Sequence, residues 1–219
     1  LFDALTGPLD DIFMPILNAI EEGRAVYANI KRFTTYIFTS NVPEAWPFIA
    51  QIMLGIPLPM TVMQVLAVDL GTDMLPALAL GTEKPEPGVM DRPPRKTEDR
   101  LIDRRLLARA LLWLGSLETV LAFTAYFVMW WTNGYHDLLN LPRVDLLPYA
   151  ERLALPSGQV YILATTIFFA SVVCGQVGAA YACRTERASV FSHGLFSNRF
   201  LLLGIAFELS LAWVLMVVP

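Results

Sequence analysis

Between residues 33 and 82 the charged side chains are Glu44, Asp69 and Asp73, and everything around them is neutral and mostly apolar. A carboxylate at membrane depth costs a few kcal/mol even on lenient insertion scales, so three of them require a reason. In TSNVPEAWP, Asn41 and Glu44 are three residues apart and Tyr36, Ser40 and Glu44 follow at spacing four. A helix would put these groups on one face. In DLGTD, Asp69, Thr72 and Asp73 stand at i, i+3 and i+4, again on a single face. Pro43, Pro47 and Pro76 each lack a donor and so free the carbonyl four residues earlier, on Thr39, Pro43 and Thr72. Carboxylates, amides and freed carbonyls are the oxygen ligands of hard cations, and unwound backbone at membrane depth is tolerated where it lines a cavity. An intramembrane site for an alkali or alkaline-earth cation is the expectation. Its residues are Ser40, Asn41, Glu44, Asp69, Thr72 and Asp73.

The elements that carry these groups are set by composition. The 219 residues are 55% hydrophobic and 16% charged, against about 25% charged in soluble domains. Apolar runs at 33–55, 60–81, 107–131, 158–182 and 200–218 each approach the roughly 20 residues needed to cross a bilayer. The fold class is therefore all-α, a polytopic transmembrane bundle of about five spans. Residues 10–32, with Glu21, Glu22, Arg24, Lys31 and Arg32, read as an amphipathic stalk helix extending the first span into the cytoplasm. Four regions follow: 1–32 with the stalk, 33–81 with the cation site, a loop at 82–106, and a support bundle at 107–219.

Orientation follows from Lys and Arg, which favour short cytoplasmic loops. Lys84, Arg92, Arg95, Lys96, Arg100, Arg104 and Arg105 place 82–105 inside, and Arg184, Arg187 and Arg199 do the same for the loop before the last span. The turn at 56–59 and the stretch 132–157, with Arg143 and Arg152 among acids, fall outside. Five spans then leave Pro219 on the outer side, which is expected of a truncated chain. No cleavable signal is recognisable at the start, and nothing supports nucleic-acid binding.

Other polar groups in the apolar runs leave alternatives open. Gln176 and Glu208 are placed to complete a site, together with Tyr36 and Thr39, while Glu118 reads equally as an interhelical hydrogen-bonding group or a transport residue. Cys174 and Cys183 read as packing residues. His136 and His193 fall in loops without a partner at metal-ligand spacing, and Trp113, Trp130 and Trp131 read as packing and interfacial anchors.

These motifs resemble a known family, the type II P-type ATPases that pump cations. EEGRAVYANIKRF is similar to the family's stalk entering its fifth membrane helix. TSNVPE and DLGTDMLPALALG resemble its fifth and sixth helices, and EPGVMDRPPR the loop that follows. The resemblance implies that the five spans are the fifth to ninth of ten. TSNVPE followed by DLGTDM, with Asp69, is more similar to the sodium/potassium and proton/potassium pumps than to calcium pumps. It implies cation-ligand roles for Asn41, Glu44, Asp69, Thr72 and Asp73, with Ser40 at a potassium-coordinating position where proton/potassium pumps carry Lys. Tyr36, Gln176 and Glu208 match the residue types of a third sodium site, but the acid expected just after the Gln in the eighth helix is Ala179 here.

The family's phosphorylation, dephosphorylation and hinge motifs do not occur in these residues, so no catalytic residue and no cofactor are expected in this chain. The parent protein would use ATP and Mg2+ in an N-terminal catalytic half. The implied partners are sodium and potassium, or calcium, together with the lipid bilayer, and the implied location is the plasma membrane. The competing expectations are a passive cation channel or secondary transporter with the same acidic cavity, and an accessory subunit, which leaves the buried acids unexplained.

Overall fold

The computed structural model describes residues 3–85, 88–91, 93–94, 100–185 and 194–217, with only the backbone path for 3–12. The expectations for Arg92, Arg95, Lys96, Arg187, His193 and Pro219 lie outside the described residues. Within them the chain is all-helical, with no strand.

Helix α1 (Asp3–Leu54) runs for 52 residues without interruption, about 78 Å at 1.5 Å per residue. That exceeds the roughly 30 Å of a hydrocarbon core, so stalk and first span are one rod. The unwinding expected at Pro43 and Pro47 does not occur. Each proline deletes a single bond, and the flanking ladder holds the helical path through both. Gly55, at φ 68°, ends the helix in the left-handed conformation open to glycine.

The second element, α2 (Val62–Leu80), opens on a capping box in which Thr61 Oγ1 accepts from the Gln64 N–H while Gln64 Oε1 accepts from the Thr61 N–H. After it come α3 (Arg104–Thr132), a short α4 (Tyr149–Ala154), α5 (Pro156–Cys183) and α6 (Arg199–Val217). Helices α2, α3, α5 and α6 are long and apolar enough to cross a membrane. The expected span at 33–55 is helical but is not among the four. Thr34, Thr35, Ser40, Asn41, Glu44 and Gln51 dilute its apolar character.

The most extensive packing is between α3 and α5, where Phe123, Tyr126 and Trp130 meet Phe168 and its buried neighbours. This core also fixes the connection between α1 and α2. The Tyr126 hydroxyl donates to the Pro57 carbonyl and the Tyr161 hydroxyl to that of Leu58, each at 3.0 Å. Trp130 is thus a core residue, whereas Trp113 and Trp131 are exposed as interfacial anchors would be. Both cysteines are free thiols.

Where α1 continues past the bundle it docks on the segment after α2. The Arg24 guanidinium donates to the Val89 carbonyl at 2.7 Å, Asn29 Nδ2 to the carbonyls of Gly81 and Glu83 at 3.1 and 2.8 Å, and Lys31 pairs with Asp103 at 3.2 Å. The stalk is tied to the connection between α2 and α3.

Candidate cation-binding site

The face spacing in α1 is realised in part. Tyr36, Thr39, Ser40 and Glu44 are buried, while Asn41 is exposed and donates back to the Ile37 carbonyl at 2.8 Å. In α2, Thr72 and Asp73 are buried but Asp69 is exposed. Two expected ligands therefore sit on the outer surface of the described helices.

Distortion does occur, in α2. Residues Val68–Thr72 form a π-helical turn in which the Asp73 N–H donates to the Val68 carbonyl at 3.0 Å, one residue beyond the usual reach. Pro76 brings no N–H to the Thr72 carbonyl. The Thr72 hydroxyl also donates to Val68, at 3.3 Å. The extra residue swings Asp73 inward, where one carboxylate oxygen accepts from the Tyr36 hydroxyl at 3.0 Å. That bond joins the two expected helices, and Ser40 neighbours the same carboxyl. Across the interface Glu44 interacts with both Asp69 and Asp73.

Helix α6 is brought against this turn by Gly204, where a Cβ would lie 3.0 Å from the Pro76 nitrogen and 3.1 Å from the Leu75 carbonyl carbon. Glu208 lies one helical turn further along the same face and interacts electrostatically with Asp73. Gln176 on α5 and Glu118 on α3 complete the buried polar set. Exposure is 5% at Glu44, 3% at Asp73 and Glu118, and 0% at Gln176 and Glu208. Both side-chain polar atoms of Glu118, Gln176 and Glu208, and Oε1 of Glu44, have no hydrogen-bond partner. Buried polar atoms are paired in the great majority of cases, so this concentration of unpartnered atoms sets the region apart from the rest of the described bundle. Thr39, Ser40 and Thr72 donate into their own helices, to Thr35, Ile37 and Val68, which leaves their oxygen lone pairs available to a cation.

The carboxylates do not collapse into one compact chelate. Among the described residues no group of three or more His, Cys, Asp or Glu is close enough to hold a metal ion. A mixed set of carboxylate, amide, hydroxyl and carbonyl oxygens suits weakly charged alkali cations better than a transition metal.

A second buried polar cluster was missed by the sequence reading. Glu83, just past α2, accepts from Arg184 at 2.7 and 3.2 Å and from Asn198 at 2.7 Å. Arg184 also donates to the carbonyls of Gly194 and Leu195, and Asn198 to that of Ala79. Burial raises the Glu83 pKa, but hydrogen bonds from Arg184 and Asn198 and the charges of Arg184 and Arg32 outweigh it, so the carboxyl is held below its usual value. Arg184, read from sequence as a loop marker, is fully buried. The signal available was an acid two residues beyond the apolar run 60–81 and an arginine two residues beyond the run 158–182.

The family described as cation transporting ATPase, C-terminus, matches residues 57–219. The chain is 36% identical to the sodium/potassium-transporting ATPase subunit alpha-1 of Oreochromis mossambicus over 96% of its own length and 22% of the relative's. It is 34% identical to the sodium/potassium-transporting ATPase subunit alpha of Hydra vulgaris over the same shares, and 33% identical to the potassium-transporting ATPase alpha chain 2 of Homo sapiens over 94% of this chain and 21% of that one. The chain thus spans about a fifth of the length of these relatives. With its apolar helices and this match, the chain is an integral multi-pass membrane protein and belongs to the C-terminal region of the type II P-type cation-transporting ATPases.

Proposed function

We propose that this chain forms the intramembrane cation-binding site and transport path of an ATP-driven pump, with sodium and potassium as cargo and calcium as the competing assignment. The observation that carries the reading is the Tyr36–Asp73 bond across α1 and α2, beside a π-helical turn and the unpartnered Oε1 of Glu44. Negative charge and oxygen ligands converge there, and among the described residues the charges acting on Glu44 and Asp73 are those of other carboxylates, an arrangement a cation would satisfy.

In this reading Glu44 and Asp73 supply charge, while Thr72, Ser40 and the carbonyls of Thr39 and Thr72 supply neutral oxygens. Asn41 and Asp69 complete the site against membrane helices outside this chain. ATP and Mg2+ act in the catalytic part of the whole protein, and the continuous α1 carries movement from that part to the site. The 82–105 segment lies on the cytoplasmic side, and the pump resides in the plasma membrane.

The test is phosphorylation of the whole protein by ATP, measured as acid-stable, hydroxylamine-sensitive phosphoenzyme with sodium, calcium or neither ion. Sodium stimulation supports the assignment, and calcium stimulation replaces the cargo. An active transport preparation that forms no phosphoenzyme points to a passive or secondary transporter. Glu44→Gln and Asp73→Asn are each expected to weaken ion dependence by at least about a hundredfold, since each removes a formal charge with little change of shape. Unaltered ion dependence in both sinks the site.

A further inference from the structure

Helix α3 brings a carboxylate that the pump reading above does not use. Glu118 is 3% exposed and both of its oxygens lack a hydrogen-bond partner. Its stem lies in a notch on α5 created by Gly175, where an added Cβ would come within 2.5 Å of Glu118 Cγ, 2.9 Å of Cδ and 3.0 Å of Oε1. Gln176 follows Gly175 directly, fully buried and with both amide atoms unpartnered. Ala179, four residues past Gly175, lies on the same face of α5 and is also buried and small. Two small residues on that face leave room for a side chain from the neighbouring helix.

The carboxyl of Glu118 interacts electrostatically with Asp73, Glu44 and Glu208, and it is among the charges that act on Tyr36. Glu118 thus stands within electrostatic reach of the expected ligands and is carried there by a different helix, α3. An arginine, Arg109, lies one helix segment earlier on α3, but its guanidinium is directed to the carbonyls of Ala182 and Thr185 at the end of α5. No cation in the described contacts compensates Glu118.

We propose that Glu118 is a ligand of a transported monovalent cation, reaching from α3 through the notch at Gly175 to act with Gln176 and Glu208. This inference rests on the pump reading. It predicts that α3, a helix otherwise assigned to support, moves with the ion site.

The experiment uses the whole protein in membranes and measures equilibrium binding of radioactive sodium, rubidium as a potassium congener, and calcium, in wild type, Glu118→Gln, Gly175→Ala and the double variant Glu118→Gln/Ala179→Asp. Glu118→Gln is expected to weaken sodium binding about tenfold and to leave rubidium binding within about twofold. Gly175→Ala removes no ligand but displaces the Glu118 stem, and it is expected to weaken sodium binding in the same direction. Placing a carboxylate on the same buried face of α5, one turn from Gly175, is expected in the double variant to recover sodium binding to within about threefold of wild type.

Wild-type sodium binding in Glu118→Gln overturns the proposal, as does an equal loss for every ion without recovery in the double variant, which marks a purely structural role. Should Glu118→Gln fail to fold, Gly175→Ala decides, because wild-type sodium binding there overturns the proposal equally. A wild-type protein that binds none of the three cations sinks the pump reading itself, a result distinct from any of these.

Discussion

Glu83, just past the end of α2, and Glu208, midway along α6, are both buried carboxylates, yet they are opposites in how their oxygens are used. Glu83 receives two hydrogen bonds from Arg184 and one from Asn198. Both Glu208 oxygens, like those of Glu118, receive none. A buried charge that is fully paired inside the chain holds helices together. One left unpaired has no such structural return and keeps its capacity for a ligand. The two regions thus separate what fastens the bundle from what the bundle holds ready.

The largest effect is expected where this contrast is broken from the fastened side. Arg184→Met strips Glu83 of its ion-pair partner and removes the guanidinium donor to the Leu195 carbonyl, while the Gly194 carbonyl keeps its bonds from Ser197. Breaking a buried pair from one side costs about 3–5 kcal/mol. Thermal unfolding of the detergent-solubilised whole protein is expected to drop accordingly, and Arg184→Met/Glu83→Leu to recover much of the loss. Equal stability of the single and double variants would show that the pair is not what holds α5 to the end of α2.

Applied to the other region, the same operation is expected to give the reverse. Glu208→Leu removes two unpartnered buried oxygens, so stability is expected to hold or to rise by about 1–3 kcal/mol, while sodium binding is lost. A large destabilisation without ligand would mean that Glu208 has a structural partner.

Only the unpaired side of this division was legible in the sequence, and the limits are physical. Spacing alone put Tyr36, Ser40 and Glu44 on one helical face, and insertion cost alone singled out Glu44, Asp69 and Asp73 as candidate ligands. Spacing fixes which residues share a face but not which neighbour covers it, so Asn41 and Asp69, on the expected faces, lie exposed. The rule that prolines distort helices pointed to Pro43, Pro47 and Pro76 alike, but α1 stays helical through the first two and of these sites the backbone yields only ahead of Pro76, in a π-helical turn. Glu118 could not be placed because its notch at Gly175 belongs to a helix more than fifty residues away. Counting Arg184 as a charge that marks a loop concealed that its guanidinium reaches back 101 residues to Glu83.

A smaller effect distinguishes the fastened region by pH. The Glu83 pKa is lower in the folded protein than the usual 4.5. A depressed carboxylate pKa contributes stability that is fully present above the unfolded value and is lost as pH falls through the folded one. Wild type is therefore expected to lose stability below pH about 4.5 more steeply than Glu83→Gln, measured as thermal unfolding against pH. Parallel curves would show that Arg184 and Asn198 do not favour the ionised form.

The smallest effect tests how the loop end of α3 is set, since its first turn determines where Glu118 enters the bundle. Asp103 caps that helix, accepting from the Leu106 N–H at 2.7 Å while its other oxygen pairs with Lys31 on α1 at 3.2 Å. Its pKa is lowered chiefly by the Leu106 hydrogen bond and further by Lys31. Asp103→Ala removes both interactions and is expected to cost about 1 kcal/mol, typical of a lost N-cap. Asp103→Asn keeps a capping oxygen and gives up only a partly exposed ion pair, worth a few tenths of a kcal/mol at about 0.2–1 for such pairs. A measured loss in the asparagine variant as large as in the alanine one would assign the energy to the contact with α1 rather than to the cap, and would extend the fastened region from the end of α5 to the stalk.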